Sequence, residues 1–187
     1  MTRIISGTAR GRKIKVPPAG TRPTSDRARE GLFSSLQVRF GFEGERVLDL
    51  FAGSGALGLE AASRGAAEVT LVDFNHRAAE IINANAKVVG HPSTHVVEAK
   101  ASTYLHTAPQ NHFTMVFADP PYELTDEATD ELVAALSRVL AEDAVVIIER
   151  PSDAREVVWP EGFERTDQKL KKRTYGIARF DMAIWRG

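Results

Sequence analysis

The 187-residue chain contains no cysteine. Disulfides, zinc–thiolate centres and cysteine nucleophiles are therefore excluded, and the chain is compatible with a reducing compartment. No apolar run approaches the ~20 residues that span a membrane. The opening Met1-Thr2-Arg3-Ile4-Ile5-Ser6-Gly7 lacks the long apolar stretch of a signal peptide. The expectation is a cytoplasmic protein without a membrane partner. Histidines are few and scattered: His76, His91, His95, His106 and His112 fall on loops and helix starts without ligand-like clustering. No metal site is expected. The two tryptophans, Trp159 and Trp185, read as packing residues, and no internal repeat or low-complexity segment breaks the chain.

What is present fits one globular domain with a sizeable core, at 43% hydrophobic and 26% charged residues. The net charge of -1 argues for no partner, but its distribution does. Residues 1–29 carry eight Lys/Arg and one Asp, net +7; residues 30–164 are net -13; residues 165–187 are net +5. Basic ends flanking an acidic middle point to a polyanionic partner. At the start, Ile4, Ile5, Ile14 and Val16 can form two short strands around Gly7-Thr8-Ala9-Arg10-Gly11. Residues 1–20 are thus expected to be a small basic β-hairpin arm with Arg3, Arg10, Arg12 and Lys13 available to phosphates. Gly20-Thr21-Arg22-Pro23-Thr24 makes a hinge-like break, with Arg22 a further basic contact. Residues 21–187 form the main domain.

Ser25 or Asp26 can cap a helix running to about Phe40. From Val47 the pattern alternates: strand 47–50, helix 56–64, strand 69–72 ending at Asp73, helix 76–89, short strand 95–97, strand 113–118, helix from Thr125 to about Leu140, strand 144–149. Such alternation predicts a mostly parallel sheet covered on both faces. After Pro160, residues 163–170 and 175–185 read as an antiparallel hairpin closing it.

Two stretches carry the chemistry. Gly53-Ser54-Gly55-Ala56-Leu57-Gly58 matches G-x-G-x-x-G between a strand and a helix, a nucleotide-binding signal. Asp73, ending the next strand, suits ribose hydroxyls. On these facts an NAD-dependent oxidoreductase is open. Asp49, inside the apolar strand just before the loop, favours a cationic ligand group over a pyrophosphate. Here the sequence resembles class I S-adenosylmethionine-dependent methyltransferases. The resemblance implies that the loop of Asp49, Phe51, Gly53, Ser54 and Gly55 wraps the methionine moiety and that Asp73 binds ribose, with Phe74 beside it. The superfamily often places an acid at the end of the third strand for the adenine amine. Lys100 stands there instead, which leaves the Ala101 backbone or the Ser102 hydroxyl for that contact.

The second stretch is Asp119-Pro120-Pro121-Tyr122. An exocyclic base amine is a poor nucleophile because its lone pair is delocalised into the ring. Two acceptors, the Asp119 carboxylate and the Pro120 carbonyl, can take its two N–H groups and localise that lone pair. Proline fixes φ and removes the N–H, which aims the carbonyl. Tyr122 offers a stacking face, and the base must leave its own stack to reach it. The motif resembles that of methyltransferases acting on adenine N6, cytosine N4 or guanine N2, without choosing among them.

Arg3-Ile4-Ile5-Ser6-Gly7, Arg10-Gly11-Arg12, Arg22-Pro23-Thr24-Ser25-Asp26 and Arg29-Glu30 precede the glycine loop. In that combination and length, the chain is similar to the RsmD family of bacterial 16S rRNA guanine-N2 methyltransferases. The resemblance implies a Rossmann-like seven-stranded methyltransferase fold with S-adenosylmethionine as methyl donor. It places Thr24 near the methionine end of that cofactor. It also implies action on N2 of guanine 966, within a partly assembled small ribosomal subunit in the cytoplasm. A DNA amino-methyltransferase and a non-catalytic RNA-binding module are the remaining rivals.

Overall fold

A computed structural model describes residues 1–18 and 24–187. The chain opens with β1 (Thr2–Arg3) and β2 (Lys13–Ile14), an antiparallel pair with Thr2 opposite Ile14. Then α1 (Asp26–Arg39) begins under a Ser25 cap, whose hydroxyl accepts the Ala28 N–H. The alternating part follows: β3 (Arg46–Leu50), α2 (Ala56–Ser63), β4 (Glu68–Asp73), α3 (His76–Val89), β5 (Thr94–Glu98), α4 (Ala101–Thr107), β6 (Phe113–Ala118), α5 (Asp126–Leu136) and β7 (Leu140–Pro151). The end is β8 (Phe163–Arg165), a 3-10 turn (Leu170–Arg173), β9 (Thr174–Tyr175) and β10 (Ala178–Trp185).

The main sheet runs β5-β4-β3-β6-β7-β10-β8, with β9 also on β10. Its first five strands are parallel, and β10 is antiparallel to β7 and β8. This is the expected α/β Rossmann-like methyltransferase architecture, with two-residue β9 as an eighth strand beyond the expected seven. The order reverses between β3 and β6, where Asp49 lies opposite Phe117 and Leu50 opposite Ala118. Carboxyl ends of strands at such a switch point open into a crevice. The glycine loop and the Asp-Pro-Pro-Tyr turn therefore meet there.

Three elements depart from the sequence reading. The helix expected to reach Leu140 stops at Leu136. Val139 and Leu140 are buried all the same, but Leu140 opens β7 opposite Phe113, ahead of a bulge. An apolar pair at helical spacing is equally usable by a buried strand. The expected strand 163–170 is only Phe163–Arg165, and the long partner of β10 is β7, over seven residue pairs. Helix α4 has no counterpart in the sequence reading, since its seven residues show little apolar periodicity and bury only Leu105.

The basic hairpin does not stand off from the body. Ile4, Ala9 and Ile14 are each 1% exposed and join the cluster formed by α1, α2 and the sheet. Buried Glu60 of α2 accepts the Ile5 and Ser6 N–H groups, and Ser63 bonds Ser6, Thr8 and Ala9. Asn85 of α3 clasps both backbone groups of Lys15 and also donates to the Ser54 carbonyl in the glycine loop. A Cβ at Gly7 would come 1.9 Å from the Ser63 carbonyl oxygen, so no side chain fits at that close approach. The proposed boundary between residues 20 and 21 falls in the segment 19–23, outside the described residues.

Candidate active site

The crevice at the switch point is a cleft of about 1510 Å³. Its walls come from the ends of β3, β4 and β6, the start of α4, the Thr24–Asp26 stretch and the segment Val16–Pro18 that leaves the basic hairpin after β2. Asp49, Phe51, Gly53, Ser54, Asp73, Phe74, Ala101, Ser102, Thr24, Asp119, Pro120, Pro121 and Tyr122 all line it. Gly55 lies beneath, buried at φ 82 as the N-cap of α2. Lys100 and Arg77 stand on the same walls.

The glycine loop is held from below. Asp49 Oδ2 accepts the Gly58 N–H at 2.9 Å. A Cβ on Gly58 would sit 3.1 Å from that oxygen and 2.9 Å from Leu71, which is why the last glycine of the motif is small. The other oxygen, Oδ1, is buried with no partner among the described residues. Burial pushes the Asp49 carboxyl up to about 8, with the Asp73 charge adding to the effect and the Gly58 N–H opposing it. An orphaned carboxylate oxygen at the wall of a cleft calls for a cationic hydrogen-bond donor. The α-ammonium of S-adenosylmethionine is such a donor; a pyrophosphate is not. Phe51 itself adopts φ 59, a left-handed conformation uncommon for an aromatic residue and found where a loop is over-determined.

Asp73 is used differently from the simple ribose-binding picture. Its oxygens accept the Gly53 and Asn75 N–H groups, both at 2.9 Å. A carboxylate offers about four lone-pair sites, so capacity for a ribose hydroxyl remains while the same side chain shapes the loop. Phe74 is 64% exposed beside it and presents an apolar face. Lys100 precedes α4 and is exposed, with Ala101 and Ser102 beyond it on the cleft wall.

Across the cleft, the 119–125 turn is pinned at its far end. The Leu124 N–H donates to the Pro121 carbonyl, the Leu124 carbonyl accepts from buried Arg150 of β7, and Thr125 caps α5. Asp119 is accompanied by a residue the motif did not reveal. Glu149, 3% exposed at the end of β7, accepts the Thr24 hydroxyl at 3.1 Å, and Asp119 Oδ2 lies 3.4 Å from the same hydroxyl. Burial, the hydrogen bond to Glu149 and its charge, and the charge of Asp49 hold the Asp119 carboxyl well above the usual carboxylate range; the Thr24 hydroxyl acts the other way. Thr24 thus lines the cleft, and its hydroxyl serves the two carboxylates. The available signal for Glu149 was a carboxylate closing the apolar run Val145–Ile148, the same pattern that made Asp49 conspicuous.

The basic residues divide. Arg3, Arg10 and Lys13 are exposed. Arg12 is also exposed, but its guanidinium donates to the Val88 and Val89 carbonyls at the end of α3. Arg22 lies outside the described residues. Among the described residues no group of His, Asp or Glu is arranged to hold a metal ion, and no helix is long and apolar enough to cross a membrane.

The family model described as "Conserved hypothetical protein 95" matches residues 2–183. The ribosomal RNA small subunit methyltransferase D of Escherichia coli K12 is 39% identical over 150 residues, covering 79% of this chain and 73% of its own. Its Haemophilus influenzae namesake is 35% identical over 185 residues, covering 95% and 91%. Among solved structures, the Escherichia coli protein yhhF superposes with a TM-score of 0.82 at 32% identity, covering 99% of this chain and 98% of its own. A hypothetical protein of Thermus thermophilus does so at 0.75 and 31%, covering 100% of both chains. With the strand order, the two carboxylate-bearing motifs and these likenesses in agreement, the chain belongs to the Conserved hypothetical protein 95 family, the RsmD-type S-adenosylmethionine-dependent methyltransferases.

Proposed function

We propose that the protein transfers a methyl group from S-adenosylmethionine to the exocyclic N2 of a guanine in 16S rRNA, at position 966 by family resemblance. The observation that carries the methyltransferase half is the facing of Asp49, with its orphaned oxygen, and the Asp119–Tyr122 turn across one cleft. The choice of small-subunit rRNA is supported by what the Escherichia coli and Haemophilus influenzae relatives are named for.

When bound, S-adenosylmethionine supplies an electrophilic methyl on a sulfonium. Asp49 Oδ1 holds its ammonium, the Gly53–Gly55 backbone encloses its methionine end, Asp73 receives the ribose hydroxyls, and Phe74 with Ala101 and Ser102 borders the adenine. Opposite, the flipped guanine stacks on Tyr122 while Asp119 and the Pro120 carbonyl accept its two N2 protons. Positioning dominates such an in-line displacement, since near-attack geometry alone is worth several orders of magnitude in rate. Calorimetry with S-adenosylmethionine and NAD, followed by nucleoside mass spectrometry of methylated rRNA, tests the reading. Binding of the first ligand and not the second, with N2-methylguanosine as product, is expected. Asp73→Ala should weaken cofactor binding by about tenfold or more, through lost charge-assisted bonds and a loosened Gly53. Unchanged affinity would remove Asp73 from the site.

The exposed cations of the hairpin give the RNA its phosphate contacts, which position without reading sequence. Residues 1–18 are packed into the core, so charge removal, not truncation, isolates that role. Replacing Arg3, Arg10 and Lys13 together with Gln should leave thermal stability and cofactor affinity unchanged. RNA affinity should fall, and the slope of log affinity against log salt should become shallower by about two, at roughly 0.7–0.9 per lost phosphate contact. An unaltered slope would place the RNA elsewhere. A partly assembled small subunit is the proposed physiological substrate, tested by comparing methylation of naked rRNA and of assembly intermediates.

A further inference from the structure

Half-buried Asp119 and buried Glu149 form a pair that the base-activation picture leaves unexplained. They belong to different strands, β6 and β7, and meet at the cleft through the Thr24 hydroxyl. Among the described residues, no Lys, Arg or His side chain is hydrogen-bonded or ion-paired to either carboxylate. The groups acting on Asp119 are Glu149 from β7, Asp49 from β3 and Thr24 from the stretch before α1. Two carboxylates gathered on one threonine hydroxyl at the wall of the cleft disfavour ionising together, so the pair keeps one proton. The Thr24 hydroxyl lies nearer to Glu149, at 3.1 Å, than to Asp119, at 3.4 Å. Its single O–H therefore donates to Glu149, and Asp119, whose carboxyl is held well above its usual range, is the member that keeps the proton. A protonated Asp119 is a weak acceptor for an amine N–H.

We propose that Glu149 is the proton partner of Asp119: it receives the Asp119 carboxyl proton when the target amine arrives, leaving Asp119 ionised to accept an N2–H. This rests on the function proposed above. The N2–methyl bond forms as the sulfur–methyl bond breaks, its electron pair staying on sulfur. The amine then sheds one proton to the Asp119 carboxylate. The pair, which began with one proton, now holds two, and one leaves to water with the product. Glu149 touches neither cofactor nor base; it is a positioning residue that acts through Asp119.

The test is the pH dependence of single-turnover methylation at saturating S-adenosylmethionine, for wild type and Glu149→Gln. The amide is isosteric, cannot take the proton, and can donate an N–H to Asp119. It therefore favours the ionised carboxyl. The acid limb of the rate profile should move to lower pH by about one unit or more, with cofactor affinity within twofold of wild type. Superimposable acid limbs would overturn the proposal. A second measurement needs neither RNA nor a folded Glu149 variant: carbon-13 NMR titration of aspartate carboxyls in the wild-type protein, with the Asp119 signal assigned by Asp119→Asn. A signal titrating well above ~3.9 is expected, and an ordinary titration would sink the pair. Because that readout is independent of methylation, failure of the rRNA assignment and failure of the proton partnership are told apart.

Discussion

Asp119→Ala is expected to lower turnover on rRNA by about 10³-fold, within the range for loss of a positioned proton acceptor, while S-adenosylmethionine affinity stays within about threefold. The two effects separate because Asp119 stands at the base side of the cleft and, among the described residues, its side chain is hydrogen-bonded to Thr24 and not to the glycine loop. An interaction made mainly in the transition state lowers kcat without a matching change in ground-state binding. Stability should not fall as it does for truncations in the core. Removing the Asp119 carboxyl relieves the desolvation and the proximity to Glu149 and Asp49 that hold it above its usual range. Single-turnover methylation, calorimetry and a thermal melt on one preparation check all three. Near-normal turnover would show that the amine is activated by something other than Asp119.

Asp49→Asn should move stability and affinity in opposite directions. The folded-state value of Asp49 is raised to about 8, against ~3.9 in an unfolded chain. Between those values the folded protein holds a proton that the unfolded chain has released, so stability falls as pH rises through that window. The asparagine removes the dependence: its carbonyl can still accept the Gly58 N–H, and no buried charge remains. The melting temperature of the unliganded variant should match wild type near pH 4, exceed it increasingly up to about pH 8, and stay above it by several degrees. S-adenosylmethionine affinity should meanwhile drop by roughly 10–100-fold, the scale of a hydrogen bond to a charged group. The stability that wild type forgoes is the cost of keeping a carboxylate where the ligand's cation will sit. A variant that binds cofactor normally would show that Oδ1 is not the ammonium site.

The alternation of strands and helices from β3 to β7, α4 apart, the two loops and most of the residues that line the candidate cleft were legible in the sequence because they are local properties. A buried parallel strand favours an apolar run, a strand-to-helix turn with positive φ favours glycine, and a carboxylate such as Asp49 inside an apolar run stands out. Capping chemistry likewise marked Ser25 or Asp26, and Thr125; Ser25 and Thr125 accept an N–H from the first turn of their helices, as does Asn75, which the sequence reading did not single out. Tertiary structure alone decided three things. It turned an apparently detachable basic arm into part of the core, because the burial of Ile4 and Ile14 depends on Glu60, Ser63 and Asn85, which lie 54 to 70 residues from their hairpin partners in sequence. It withdrew Arg12 from the free cations by setting it against the end of α3. And it paired Asp119 with Glu149, 30 positions apart in sequence, through a threonine before α1. Periodicity and motif spacing report what a residue prefers locally. Which carboxylate faces which across adjacent strands is set by sheet register, and only the folded chain fixes that.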